Sequence, residues 1–281
     1  MRHLAIAAFS ALVLICSSVG FAESNQKFTY EDYAAVLQNH VNEEGMVNYD
    51  SLKENREKLD AFATEVATLK PETYDAWTDA QKIAFWINTY NALTLQVIIN
   101  HYPIKPGFFG ALLYPDNSIR QIPGVWDRIT FPVMGEKMTL DEIEHDTLRA
   151  NFNEPRIHMA LVCAAMGCPP LRREPYLGDA LDEQLDDQTR RFLKDPEKFR
   201  IDPVDGRVYL SSIFKWFGQD FVKTYGAHEK FKGHSESERA VLNFVSAYVD
   251  EKLAEFLTTG DYEIEYLDYD WSLNEEENGD G

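Results

Sequence analysis

The chain has 281 residues, with 47 acidic against 27 basic side chains and a formal net charge of −20. That charge repels phosphate backbones and anionic headgroups, so nucleic-acid and lipid-headgroup binding are set aside, while the normal apolar share is enough to bury a sizeable core.

Met1-Arg2-His3 precedes an uncharged run from Leu4 to Val19, and Gly20-Phe21-Ala22 leads into polar Glu23-Ser24-Asn25-Gln26. A charged start, an apolar stretch too short for a comfortable span and small residues at its end mark residues 1–22 as a cleaved signal peptide, cut after Ala22. The protein is therefore expected to be exported, periplasmic or secreted, with Cys16 leaving with the signal and the mature charge at −21. No later run is apolar enough for a membrane span. The expected organisation is one α+β domain over 23–272 and a disordered acidic tail over 273–281, which offers almost nothing apolar to bury.

Helical spacing predicts helices over 30–41 and 52–69, with a short strand at Met46-Val47-Asn48-Tyr49 between them, together a helical N-terminal layer. Thr78-Asp79-Ala80-Gln81 is a capping box, and the helix it opens runs to His101, apolar nearly all round, as a buried central helix. Trp86, Asn88 and Asn91 on this helix either line a pocket or tether neighbouring backbone, because buried amides must be paired. Residues 105–126 form a long irregular loop, and 128–138 a hairpin. Thr139-Leu140-Asp141-Glu142 is a second capping box, opening a helix to about Asn151, and Arg156 to Cys163 has the length and composition of a buried strand. The last third reads as a helix over 180–193, a hairpin at Asp205-Gly206, helices over 212–222 and 236–257, and a strand over 262–271. Helices and hairpins without a βαβ rhythm indicate the α+β class, with the central helix on a small, mostly antiparallel sheet.

Reactive side chains crowd into two adjacent segments. His145 stands three residues after Glu142, on one helical face, where a carboxylate could orient the ring for acid or base work; alternatively Glu142 is only the reciprocal cap. His158 shares a strand face with Arg156, and a histidine in so apolar a segment needs a hydrogen-bond partner or a role. Cys163 and Cys168 flank a glycine turn. They could form a disulfide, hold zinc together with His145 or His158, or supply a thiol nucleophile activated by a histidine. The catalytic candidates are thus His145, Glu142, His158, Cys163 and Cys168, the pocket candidates Trp86, Asn88, Asn91 and Arg156; no cofactor is expected, with zinc at His158, Cys163 and Cys168 as the alternative.

Phe85-Trp86-Ile87-Asn88-Thr89-Tyr90-Asn91-Ala92, Leu140-Asp141-Glu142-Ile143-Glu144-His145 with Leu148-Arg149, and Pro155-Arg156-Ile157-His158 running into Cys163 and Cys168-Pro169 resemble the bacterial and plant family catalogued as domain of unknown function 547, over roughly residues 80–193. The resemblance implies a grouping and no reaction. The order of helix and histidine is also similar to the transglutaminase and papain-like layout, although here no cysteine opens the helix. As an enzyme the protein would be a hydrolase or acyl-transfer protein with His145 as base, Glu142 or Glu144 as its orienter, and a cysteine or water as nucleophile. As a binding module it would keep a structural disulfide and contact a peptide or envelope component through the 105–126 loop.

Overall fold

The computed structural model describes residues 28–107, 110–227 and 229–276, so the expected signal peptide and the last five residues lie outside the described residues. Helices α1 (Glu31–His40), α2 (Tyr49–Glu54), α3 (Glu57–Thr68) and α4 (Pro71–Asp75) form the N-terminal layer. Where one helix over 52–69 is expected there are two, because Asn48 caps α2 by accepting from Ser51 N and the backbone leaves helical geometry at Asn55. The expected strand at 46–49 reduces to isolated bridges of Val47 with Val41 and Glu275, and Tyr49 already opens α2.

Helix α5 (Asp79–His101) begins at the predicted capping box and is buried from Ile83 to Leu95 without a break. It packs chiefly against α2, α3, a π-helical segment (Glu142–Arg149) and α6 (Leu181–Lys194). The central helix therefore sits on other helices, which corrects the expected helix-on-sheet packing. The physical reason is that α5 is apolar on every face and needs partners all round, whereas the sheets are too small to supply them. One is a hairpin of β1 (Phe131–Val133) and β2 (Glu136–Met138); the other joins β3 (Phe199–Asp202) antiparallel to β4 (Arg207–Ser211), with β5 (Glu263–Leu267) parallel to β4. The α+β class stands.

The segment expected as a buried strand, Arg156 to Cys163, is a 3-10 turn (Pro155–Met159) followed by irregular backbone. Pro155 at its first turn and Glu154, which accepts from Arg156 N at 3.1 Å, start it as a helix. An apolar run of this length cannot be assigned by periodicity alone. The hydrogen bonds that a neighbouring strand would have supplied come instead from Asn91, which donates to Ala160 O at 3.0 Å and accepts from Val162 N at 2.8 Å.

Two hydrophobic cores result. The first gathers around α5. The second holds Phe192, Val208, Leu210, Phe214, Phe221 and Phe244, contributed by α6, the three-stranded sheet, α7 (Ser212–Phe217), the 3-10 turn Gly218–Phe221 and α9 (Glu236–Ser246). The short α8 (Val222–Tyr225) precedes α9, and α10 (Glu251–Thr259) follows as a separate helix, because Asp250 caps it by accepting from Leu253 N at 2.9 Å. That cap splits the helix expected over 236–257.

Residues 270–276 cross back over the molecule. Met166 N donates to Ser272 O and Gly167 N to Asp270 O, both at 2.8 Å, and Val47 N donates to Asn274 O at 2.9 Å. Leu273 is 3% exposed, and Tyr49 donates to Asn274 Oδ1 at 2.6 Å in a buried contact. The expected disordered tail therefore does not begin at 273. Low apolar content measures what a segment can bury, and these residues dock mostly through hydrogen bonds. Asn274→Ala, which strips the buried Tyr49 hydroxyl of its acceptor, is expected to cost about 1–3 kcal/mol. A urea midpoint equal to that of the parent protein would show that the segment does not hold in solution.

Candidate functional site

A cavity of about 430 Å³ lies where the two cores meet. Its walls are largely aromatic, from Trp126, Trp216, Phe217, Tyr269 and Trp271, and its polar members include Glu144, His145, His158, Asp141, Arg120, Tyr90 and the pair Cys163 and Cys168.

The π-helical segment places the acids. Thr139 Oγ1 accepts from Glu142 N at 3.2 Å and Thr139 N donates to Glu142 Oε2 at 2.7 Å, so Glu142 is the reciprocal cap and does not orient His145. From Glu142 the backbone runs in i→i+5 register, which widens the turn and breaks the i, i+3 facing that the sequence suggested. Ile143, Glu144 and Leu148 turn inward. Glu144 is only 9% exposed and shares a hydrogen bond with the Tyr90 hydroxyl. Burial, reinforced by the charges of Asp141 and Asp220 and opposed by Arg149 and the Tyr90 bond, pushes its carboxyl up to about 7.

Arg149 organises the next layer. Its Nη1 donates to His145 Nδ1 at 3.0 Å; because a guanidinium can only donate, that nitrogen accepts and the proton of a neutral ring sits on Nε2, 3.7 Å from Asp141 Oδ1. The remaining edge of Arg149 grips Asp220, with Nε at 2.6 Å and Nη2 at 2.9 Å. His158 Nε2 lies 2.8 Å from the same carboxylate, and its ring stacks on Phe217 with centroids 4.1 Å apart. Burial lowers the His158 pKa despite Asp220, which leaves a neutral ring donating from Nε2. Burial also works against the Asp220 charge, but the hydrogen bonds from His158 and Arg149 outweigh it and hold the carboxyl well below its usual range.

Cys163 and Cys168 form a disulfide with Cα atoms 6.2 Å apart. Cys168 is buried at 5% exposure and Cys163 is half-buried. The Tyr269 hydroxyl lies 3.2 Å from Cys163 Sγ and donates to Cys168 Sγ at 3.0 Å. Its own pKa is driven far up by burial, with Glu144 and Asp270 adding, so it stays a neutral donor. Gly167 is needed in this turn because a Cβ there would stand 2.7 Å from the Tyr269 ring.

Of the sequence candidates, His145, His158, Cys163 and Cys168 share the cavity, including the histidine and cysteine that strand alternation would have put on opposite faces. Trp86, Asn88, Asn91 and Arg156 do not line it, which corrects their assignment to the pocket. Trp86 donates to Tyr74 OH at 2.7 Å, Asn88 exchanges hydrogen bonds with the backbone of Tyr176, and Arg156 is held by Glu154, Asp182 and Asp186. A zinc site at His158, Cys163 and Cys168 is not assembled: the sulfurs are joined to each other, His158 faces Asp220, and among the described residues no cluster of three metal-ligating side chains occurs. Also among the described residues, no helix is long and apolar enough to cross a membrane. Tyr90, Asp220 and Tyr269 were not singled out in the sequence, and Glu144 only as an orienter. A signal for Glu144 existed, since with Leu140, Ile143 and Leu148 it completes an apolar stripe at helical spacing, where a carboxylate is out of place.

Residues 74–193 match the model of a family described as "Protein of unknown function, DUF547". No curated protein and no solved structure matches the sequence.

Folding lifts the Glu144 carboxyl from its ordinary 4.5 to about 7, so between those values the folded protein holds a proton that the unfolded one has released, and stability falls as pH rises through that window. Glu144→Gln is therefore expected to be more stable than the parent at about pH 8, by up to about 3 kcal/mol, and nearly equal to it at about pH 4. Thermal unfolding at the two pH values checks this; a Gln variant no more stable at the higher pH would mean that Glu144 is not buried as described.

Proposed function

With residues 74–193 assigned to the DUF547 family, we propose that this protein performs thiol–disulfide exchange at Cys163 and Cys168, outside the cytoplasm. The observation that supports the reading is one hydroxyl, Tyr269, in contact with both sulfurs on the wall of a cavity that also holds a carboxyl titrating near neutrality. Structural disulfides do not need an acid beside them, whereas exchange must deliver and collect protons at each step.

The first thiol of a client dithiol, having lost its proton, attacks Sγ of Cys163, the more exposed residue of the pair. The S–S bond breaks and Cys168 leaves as a thiolate, stabilised by the Tyr269 O–H and protonated from Glu144. The Glu144 carboxylate then takes the proton of the second client thiol, which attacks the client sulfur of the mixed disulfide and expels Cys163. Cys163 takes up the proton lost by the first thiol. The client has lost two electrons and two protons, and the protein pair has gained them; a low-molecular-weight disulfide such as oxidised glutathione restores it.

A hydrolase with His145 as base and Glu142 as orienter fits this geometry poorly, because His145 Nδ1 accepts from Arg149 and Glu142 is the cap. A second reading, acyl transfer by reduced Cys163 with His158 as base, draws support from the 2.8 Å contact of His158 with Asp220, the orientation that a thiol–histidine pair requires.

The test equilibrates the mature protein with reduced and oxidised glutathione and counts free thiols by labelling and intact mass. Exchange is expected with the fold intact, with a rate inflection near pH 7 that is absent in Glu144→Gln, and Cys168→Ser should trap a mixed disulfide on Cys163. A pair that reduces only on unfolding would make it a staple and return the cavity to the binding-module reading. Ester hydrolysis by the reduced protein that is lost in His158→Gln, with exchange retained, would favour acyl transfer. The same mass spectrum of protein recovered from its host should begin at Glu23; a mature form beginning at Met1 would remove the exported setting.

A further inference from the structure

We propose that Arg120 selects the client by binding a carboxylate carried beside an aromatic or aliphatic side chain; this assigns a substrate class and rests on the exchange reading above. Arg120 lines the same cavity as the disulfide, and it is the one arginine or lysine among the described residues that does so. Its guanidinium carbon stands 4.6 Å from the ring centre of Tyr114, 5.0 Å from that of Trp271 and 5.4 Å from that of Trp126. One hydrogen bond is made at its edge, from Nη2 to Tyr114 OH at 2.6 Å, and no carboxylate of the described residues is within ion-pair distance.

Among the described residues Arg191, Arg200 and Arg239 also bond no carboxylate, holding backbone carbonyls instead, and of these four arginines Arg120 is the one that lines the cavity. Arg149, Arg156 and Arg172 are each held by carboxylates. At Arg120 the rings take that place, attracting the cation through their faces while most of its five N–H groups have no acceptor among the described residues. Arg120 is exposed, so water meets its remaining N–H groups, but the three rings restrict the guanidinium, and bidentate pairing with a planar carboxylate then costs less side-chain freedom than it would for an unsupported arginine. Trp126 and Trp271 also line the cavity, so the apolar part of the same ligand would rest on the rings that hold the arginine.

The other charges in the cavity sharpen the choice. Asp127 and Asp141 line it with Arg120, so a ligand with a second negative charge meets repulsion, and a ligand without any leaves the arginine unanswered. The combination fits a client segment with a single carboxylate next to an apolar side chain. That carboxylate could come from a polypeptide C-terminus or from an acidic side chain.

The test is equilibrium binding to the full-length oxidised protein, followed by calorimetry, with three redox-inert probes: N-acetyl-Gly-Phe as the free acid, the same peptide as its C-terminal amide, and N-acetyl-Glu-Phe amide. The free acid is expected to bind about tenfold or more tightly than its amide, and Arg120→Gln to abolish that difference. Arg120→Lys keeps the charge without the fork, so it should retain only part of the preference, and a melting temperature near the parent's would show that the rings still hold the loop. Tight binding of the Glu peptide would assign the carboxylate to a side chain, and its weak binding to a C-terminus. Equal titration by acid and amide, or an acid preference that survives Arg120→Gln, would overturn the proposal. None of the probes carries sulfur, so this outcome is separate from whether Cys163 and Cys168 exchange.

Discussion

The carboxylate of Asp220 ties the two cores together at the cavity, and helix α6, which contributes to both, also joins them. Asp220 belongs to a 3-10 turn of the second core, and it receives Arg149 from the π-helical segment and His158 from the turn that follows Pro155. Those donors converge on one residue at the seam of the cores, where the cavity opens. Removing the carboxylate would leave a guanidinium and a buried imidazole without their partner, the arrangement that costs most in a partly dry environment. The orientation of His145 depends on it indirectly, because the Arg149 side chain that grips Asp220 also donates to the His145 ring.

The same seam pushes two carboxyls in opposite directions. Asp220 accepts from an arginine and a histidine and stays ionised against the effect of burial, whereas Glu144 accepts from a tyrosine hydroxyl and is lifted toward neutrality by burial and by neighbouring acids. One acid is therefore a fixed negative charge that organises cations, and the other can hold or release a proton near pH 7. Neither state follows from residue type alone; the number and kind of donors each carboxyl meets decides it.

The cysteine turn is held from the opposite side by the C-terminal segment. Residues 270 and 272 accept from the backbone of Met166 and Gly167, Tyr269 lies over Gly167 and reaches both sulfurs, and Lys198 donates to the Met166 carbonyl. Sulfurs that are 101 and 106 positions away from Tyr269 in the sequence thus share one hydroxyl, and a turn that is local in sequence is positioned by contacts that are not.

Local chemistry was legible from the residues themselves. Both capping boxes, the central helix, the amphipathic helix at 181–194 and the Asp205-Gly206 hairpin depend on neighbours a few positions apart, so short-range spacing determines them, whereas for the cysteines the sequence offered a disulfide as one of three readings. The gathering of His145, His158 and the cysteines was legible only in outline, as two reactive segments separated by a short connection. Tertiary structure alone decided the rest. Whether the apolar run after Pro155 became strand or turn depended on Asn91 being there to satisfy its backbone, and the partner of His158 came from a turn 62 residues further on. Glu144 became the central acid because the π register and the walls of α5 buried it, and the tail docked because distant acceptors and donors met it. Periodicity records which face of a segment is apolar. It carries no information about which distant polar group will complete a buried hydrogen bond, and in this protein those completions build the cavity.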